Sequence, residues 1–135
     1  MTDGEHQILD VVGNFFDALE NGDLGACHDI MADDAVIWHN YDQIEQAKSE
    51  ALASLGFLTS LKPHFRIVRR DLLPDGCVQQ HVAEIRFPDG SEIDVPAIER
   101  IYCAAGRITR IEEYMDSAPM GEVMRKVQSL NRTEA

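Results

Sequence analysis

The second half of the chain carries four segments of strand length, separated by short turn sequences. The segments cover residues 61–73, 77–87, 91–103 and 107–116, and the turns read PDG at 74–76, PDG at 88–90 and AAG at 104–106. Tight turns join neighbouring antiparallel strands, so this half of the chain predicts a meander. Pro63 and Pro96 lack an N–H group and therefore indicate an edge strand or a bulge.

Helical periodicity flanks these strands on both sides. Apolar residues recur at three- and four-residue spacing near both ends of the chain, which is typical of amphipathic helices. Asp23 is the expected N-cap of a short second helix, and an apolar strand follows Asp33 and Asp34. Helices are accordingly predicted over 5–20, 24–31 and 117–130, with a strand over 35–40.

The stretch after residue 40 carries a helix-capping signal. Asp42 and Glu45 stand three residues apart, so a third helix is expected to begin there. It should run to about Leu55, with Gly56 as its left-handed stop.

Helices that precede and follow an antiparallel sheet predict the α+β class. A chain of 135 residues with no linker predicts one domain over 1–135.

The negative net charge of the chain limits the classes of molecule that it is expected to bind. The chain has 12 Lys and Arg against 24 Asp and Glu, a formal net charge of -12. Such a surface repels phosphate groups, so neither nucleic acid nor a membrane surface is expected as a partner. The acidic N-terminus predicts no signal peptide, and no apolar run approaches the ~20 residues of a membrane span. Three cysteines without a CxxC pair favour reduced thiols and a cytoplasmic location.

Several stretches together resemble SnoaL-like proteins, the group around polyketide cyclases in the nuclear transport factor 2-like superfamily, which also contains ketosteroid isomerases. They are FFDALENGDLGACHDIMADDAVIWHN, DGCVQQHV, PDGSEIDVPAIERIY and GRITRIEEYMD. The resemblance implies a cone-shaped fold, in which a curved mixed or antiparallel sheet wraps over N-terminal helices and encloses an apolar cavity. It also implies a small apolar or carbonyl-containing ligand.

Three residues that carry chemistry stand in apolar rows of the predicted strands. Glu99 and Glu113 alternate with apolar or small neighbours, and His81 shares its face with Cys77, Gln79, Ala83 and Ile85; the resemblance implies that these rows face the cavity. They are the candidate catalytic residues for acid–base chemistry, because a buried glutamate has a raised pKa and a histidine titrates near neutral pH. Other interpretations remain open. His81 could be structural, Glu99 could pair with Arg86 or Arg107, and Glu113 could lie on the surface if the register slips.

Ligand contacts are expected from the first strand and the first helix. Trp38 and Asn40 share one strand face, and the resemblance to limonene epoxide hydrolases makes Trp38 an apolar wall and Asn40 a hydrogen-bonding arm. Alternatively, Trp38 belongs to the core and Asn40 caps the following turn. The expected ligand-binding residues are Trp38, Asn40, Phe15, Tyr41 and Ile111.

The chain departs from two known mechanisms of the superfamily. Phe15 takes the position of the ketosteroid isomerase tyrosine, and His39 falls at or beside the aspartate base. Ala83 follows His81 where epoxide hydrolases have an Arg-x-Asp pair. No metal site is expected, because the five histidines lack ligand spacing and His39 and His81 should face opposite sides. The chain has no glycine-rich phosphate loop, so no nucleotide cofactor is expected.

The sequence therefore predicts a cofactor-free enzyme that isomerises, cyclises, hydrates or dehydrates a small molecule. The alternative is a non-catalytic, dimeric domain that binds a small molecule. A homodimer is expected in either case, through an outer sheet face of mixed apolar and charged residues. That face would carry Ile98, Arg100, Tyr102, Arg110, Glu112 and Tyr114.

Overall fold

The computed structural model describes residues 1–134, with side chains described to residue 131. Helices and strands in this part of the chain occur in the predicted α+β arrangement. In chain order they are α1 (Asp3–Glu20), α2 (Leu24–Ile30), β1 (Met31–His39), β2 (Glu45–Ala47), α3 (Lys48–Ser60), β3 (His64–Leu73), β4 (Gly76–Arg86), β5 (Glu92–Ala104), β6 (Arg107–Met115) and α4 (Ser117–Glu134).

The six strands form one sheet in the order β2-β1-β6-β5-β4-β3. Consecutive strands from β3 to β6 pair antiparallel, which confirms the predicted meander. Strand β1 pairs in parallel with β6, and β2 pairs antiparallel with β1. The register places Glu99 opposite both Gln79 and Glu113, and Glu113 opposite His39. A row of polar residues therefore crosses the middle of the sheet.

On β4 and β5, the strand faces that were predicted to point inwards are the buried ones. Alternate residues from Cys77 to Ile85 and from Val95 to Ile101 are buried, whereas their neighbours are more exposed. Helix α1 packs its apolar stripe against this face and buries Ile8, Val12, Phe15 and Leu19. Thr2 caps α1 through a capping box with Glu5. The core consequently lies between the helices and the concave side of the sheet.

The predicted start and end of the third helix were wrong. Asp42 caps no helix, because its Oδ1 accepts a hydrogen bond from the N–H of Ile44 and forms a turn. Gln43 adopts a left-handed conformation (φ 57°), and the chain enters β2 before α3 begins at Lys48. Gly56 lies inside α3, where a Cβ atom would come within 3.3 Å of Leu24 Cδ1. The glycine thus allows α2 and α3 to approach closely rather than ending the helix.

The last helix, predicted over 117–130, extends to Glu134 and packs on the domain. Its Val123 is fully buried, and the helix contacts β5. Within the described residues, no helix combines the length and the apolar character needed to cross a membrane.

Candidate functional site

A cavity of about 470 Å³ lies between α1, α3, α4 and the concave face of the sheet. Its size lies at the lower end of the range for ligand-binding pockets. The walls are mostly apolar, and Phe15, Phe16, Leu19 and Phe65 cover much of the side towards α1 and β3. A few polar side chains gather on the strands β1, β5 and β6: His39, Glu99 and Glu113. The cavity thus has a large apolar part and a small polar end.

Two carboxyl groups form the centre of the polar end. Glu99 and Glu113 lie opposite each other on β5 and β6, and their side chains share a hydrogen bond. Glu99 is only 5% exposed. Two adjacent buried carboxyls cannot both ionise at moderate cost, so their pKa values separate. The pair therefore loses its two protons in separate steps, and between these steps one carboxyl is protonated and the other ionised.

The pKa values move in opposite directions. Burial, followed by the negative charge of Glu113, raises the pKa of Glu99 well above its usual range. Burial also acts to raise the pKa of Glu113, but hydrogen bonds from Glu99 and His39 outweigh it and leave that pKa lowered. Glu99 is accordingly the protonated partner and Glu113 the ionised one.

His39 belongs to this group, although the sequence did not identify it as a site residue. Its Nε2 lies 3.3 Å from Glu113 Oε1, and its ring centroid lies 5.2 Å from that of Tyr41. Ala35 and Ile37 on the same strand face are buried. Those two small or apolar neighbours were the available signal that His39 points inwards.

The expected placement of Trp38 and Asn40 in the cavity was wrong. The parallel pairing of β1 with β6 turns Ile37 and His39 towards the cavity, so Trp38 points the other way and packs on Tyr114 at 5.2 Å. The Asn40 amide accepts a hydrogen bond from the Met115 N–H at 3.0 Å and donates one to the Met115 carbonyl at 3.3 Å. Asn40 therefore fastens the end of β1 to β6.

The other three expected ligand contacts, Phe15, Tyr41 and Ile111, lie in the cavity wall. Tyr41 is exposed at the mouth, and partial burial, with Asp42 and Glu113 nearby, raises its pKa. Two buried atoms at the polar end, His39 Nδ1 and Glu99 Oε2, have no hydrogen-bond partner among the described residues. Both atoms therefore have unused hydrogen-bonding capacity.

His81 lies behind the carboxyl pair rather than in the cavity wall. It is 2% exposed, and the rings of Phe16 and Phe65 pack edge-on to it at 5.4 and 5.2 Å. Its Nε2 lies 4.0 Å from Glu99 Oε1. Burial lowers the pKa of His81, so the imidazole is neutral at neutral pH.

The alternative ion pairs considered for Glu99 do not form. Arg86 pairs with Glu92 at 3.4 Å, and Arg107 lies 4.0 Å from Asp33. The positively charged group that does influence Glu99 is Arg70 on β3, two strands away, which acts to lower its pKa.

His81, Glu99 and Glu113 could also hold a divalent cation, because one ligand atom from each lies within 4.8 Å of the others. Their spacing along the chain gave no such signal, since three different strands bring them together. A cation would have to displace the proton that the carboxyls share and would take His81 through Nε2. The donor set is thus suited to a metal only if that nitrogen carries a lone pair.

A family model decides where this chain belongs. The model of the SnoaL-like domain matches residues 12–111, which include the second half of α1, the first five strands and the start of β6. The chain belongs to the SnoaL-like family. No protein of curated function matches this SnoaL-like domain in sequence.

Solved structures share its fold. SalBIII, named as an epoxide hydrolase/cyclase-like enzyme with a role in pyran ring formation in the polyether salinomycin, is 12% identical with a TM-score of 0.75, over 86% of this chain and 95% of that one. IdmH from Streptomyces antibioticus, provisionally described as a polyketide cyclase, is 18% identical with a TM-score of 0.74, over 86% and 99%.

A protein of unknown function from Burkholderia xenovorans LB400, described as NTF-2 like, is 18% identical with a TM-score of 0.68, over 83% and 84%. At these identities the likeness establishes the fold alone, and one fold can carry several activities.

Proposed function

We propose that this SnoaL-like domain is a cofactor-free enzyme that acts by general acid–base catalysis on a small, largely apolar molecule with a carbonyl group. The observation that carries the proposal is the hydrogen-bonded pair of Glu99 and Glu113 at the polar end of an apolar cavity. Two carboxyls with separated pKa values can divide the roles of acid and base. Glu113 is the base and Glu99 the acid.

The pair can carry out a balanced proton exchange. Glu113 removes a proton from carbon, or from water, while Glu99 gives its proton to the oxygen that gains negative charge. Afterwards Glu113 is neutral and Glu99 is ionised, and a proton that moves across their hydrogen bond restores the starting state. Such an exchange fits isomerisation, cyclisation or hydration and dehydration. His39 donates from Nε2 to Glu113 and holds it in place.

The walls of the cavity favour an uncharged ligand. Among its described lining residues there is neither lysine nor arginine, so no permanently positive side chain there compensates an anionic group. The ionised Glu113 would repel an anion as well. An apolar molecule with one or two oxygen atoms matches both the walls and the polar end.

The proposal is tested by hydrogen exchange in D₂O with a panel of cyclic ketones and enones. If Glu113 is a base, it should remove a hydrogen from the carbon next to the carbonyl of a bound ketone, and deuterium from the solvent should replace it. This exchange occurs even when no net reaction follows. Mass spectrometry and proton NMR detect the label. If members of the panel bind but neither exchange nor react, the protein is instead a non-catalytic binding domain.

The rate of this exchange is expected to reach a plateau and to fall at both lower and higher pH. The base must be unprotonated, and the lowered pKa of Glu113 puts the acid limb below the usual glutamate value of 4.5. The acid must be protonated, and the raised pKa of Glu99 puts the alkaline limb above 4.5. In a pH profile of kcat/KM, Glu99→Gln should remove the alkaline limb alone. A wild-type profile with one limb would contradict these roles.

We also propose that the domain forms a homodimer through the outer face of the sheet. Ile98 and Tyr114 are 44% and 55% exposed there, and Arg100 stacks on Tyr102 at 3.9 Å. Arg110 binds Glu45 and Glu112 on the same face, so both charge signs are present. A second copy can meet such a mixed surface about a twofold axis.

Ile98→Glu is expected to convert the dimer into a monomer. The twofold axis would bring the two introduced carboxylates close together in the buried interface, where their charges repel. Light scattering coupled to size exclusion should give the mass of one 15.1 kDa chain. Val68→Glu is the matched control, since Val68 is 49% exposed on the edge strand β3. A wild-type protein that remains monomeric at high concentration would refute the dimer.

A further inference from the structure

A chain of side-chain contacts leads from β3 to the carboxyl pair. Arg70 Nε donates to Gln79 Oε1 at 2.5 Å, and Gln79 Nε2 lies 2.9 Å from His81 Nδ1. His81 Nε2 in turn lies 4.0 Å from Glu99 Oε1. Gln79 is fully buried, so water does not compete for these contacts. The chemistry of each group then fixes the direction of every hydrogen bond.

The direction follows from what each group can donate. A guanidinium only donates, so the oxygen of the Gln79 amide must face Arg70 and its NH₂ must face His81. An NH₂ group of an amide also only donates, so His81 Nδ1 must accept and carries no hydrogen. A neutral imidazole has one N–H group, which is then on Nε2, the nitrogen near Glu99.

We propose that Arg70 is a positioning residue: through Gln79 it holds His81 neutral, with the proton on Nε2 and directed to the Glu99–Glu113 pair. The inference deepens the acid–base function proposed above and rests on it for its catalytic meaning. His81 in this form donates hydrogen bonds and does not act as a base. The arrangement itself exists without any substrate, so it can be tested separately.

The consequence for the site is that Glu99 keeps its proton. If Nε2 carried a lone pair, it could take that proton, and the acid would be lost to an imidazolium–carboxylate pair. With Nε2 already protonated, a second proton would have to go to Nδ1, where it would face the NH₂ group of Gln79. The negative charge of Glu113 favours an imidazolium and the positive charge of Arg70 disfavours one, but burial outweighs Glu113 and leaves the pKa of His81 lowered. The same proton closes Nε2 to a metal ion.

Nitrogen NMR of protein labelled with ¹⁵N-histidine tests this arrangement directly. The ring nitrogens of each tautomer have distinct chemical shifts, and a His81→Asn variant identifies the His81 signals among those of the five histidines. We expect an unprotonated Nδ1 and a protonated Nε2 that persist below the usual histidine pKa of 6.5. A proton on Nδ1, or an imidazolium at neutral pH, would overturn the proposal.

Two variants test the role of the neighbours. Gln79→Glu replaces the donor at Nδ1 by an acceptor, so the proton should move to Nδ1 or His81 should become charged. Arg70→Met allows the Gln79 amide to rotate, so the His81 spectrum should no longer show the Nε2–H form alone. Arg70→Lys keeps a hydrogen-bond donor at this position and should largely preserve the Nε2–H signal. Arg69→Met is the matched control, because Arg69 is exposed and binds Asp71 at 3.0 Å. An Arg70→Met spectrum like that of the wild type would refute the role of Arg70.

The outcomes separate this inference from the proposed function. If Arg70→Met fails to fold, the wild-type and Gln79→Glu spectra still decide the tautomer. If no substrate is turned over and the Nε2–H form is found, the acid–base function fails and the tautomer stands. Once exchange is measurable, Arg70→Met should shift the alkaline limb of its pH profile, which a purely structural role would leave in place.

Discussion

Glu113→Gln is expected to lower kcat by a factor of about 10² to 10⁴ while ligand affinity changes little. The amide keeps the size of the side chain and can still bond to Glu99, but it cannot accept a proton from substrate. Glu113 lines the cavity beside His39 and Glu99, so its loss removes the base without opening the apolar walls. Exchange kinetics in D₂O give kcat, and calorimetric titration of the same ketone gives the affinity.

The adjacent residue provides the control. Glu112 points to the outer face of the sheet, where it accepts hydrogen bonds from Arg110 Nε at 2.9 Å and from the Tyr102 hydroxyl at 3.3 Å. Glu112→Gln should therefore keep nearly full activity. If both variants lose activity alike, the loss is not specific to the base. If Glu113→Gln weakens binding as much as turnover, the binding-domain alternative is favoured.

Alternation and turn sequences were enough to predict the inner faces of β4 and β5, because these strands are joined by tight turns and each has one apolar face. They could not show that Glu99 and Glu113 would lie directly opposite each other. That depends on register, which a shift between Tyr102 and Cys103 also affects. The sequence therefore identified the carboxyls, but the separation of their pKa values follows from the structure.

Strand β1 shows where alternation fails. Alternation divides the strand into two faces without saying which face is inside, and the resemblance to limonene epoxide hydrolases favoured the face of Trp38 and Asn40. The parallel pairing of Ile37 with Ile111 decides the matter and turns His39 inwards. The error at Asp42 has a related cause, since the same side chain can cap a helix or close a turn.

The contact between Arg70 and Gln79 was even less accessible to sequence analysis. A register shift on β3 between Ile67 and Arg69 leaves Val68 without a partner on β4. Without this bulge, Arg69 would stand opposite Gln79, and Arg70 would face solvent. Bulges leave little trace in a single sequence, so two adjacent arginines gave no indication of which one is turned inwards.

Gly76→Ala is expected to be the most disruptive single substitution for stability, with a loss of more than about 4 kcal/mol or failure to fold. Gly76 has φ of +155°, and a Cβ atom there would lie 1.9 Å from the carbonyl oxygen of Ile101. No real Cβ comes so close to backbone, so β4 and β5 would have to move apart. Urea unfolding followed by the fluorescence of Trp38, the only tryptophan, measures the effect.

Gly90→Ala separates this clash from the general cost of alanine at positive φ. Gly90 has φ of +86°, and a Cβ atom at this position would meet no other atom within 4 Å. Only backbone strain of about 1–2 kcal/mol is therefore expected there. Equal losses in the two variants would mean that the strands separate easily at Gly76. A larger loss at Gly76 would show that the tight β4–β5 contact fixes the register, and it is this register that sets Gln79 beside Glu99.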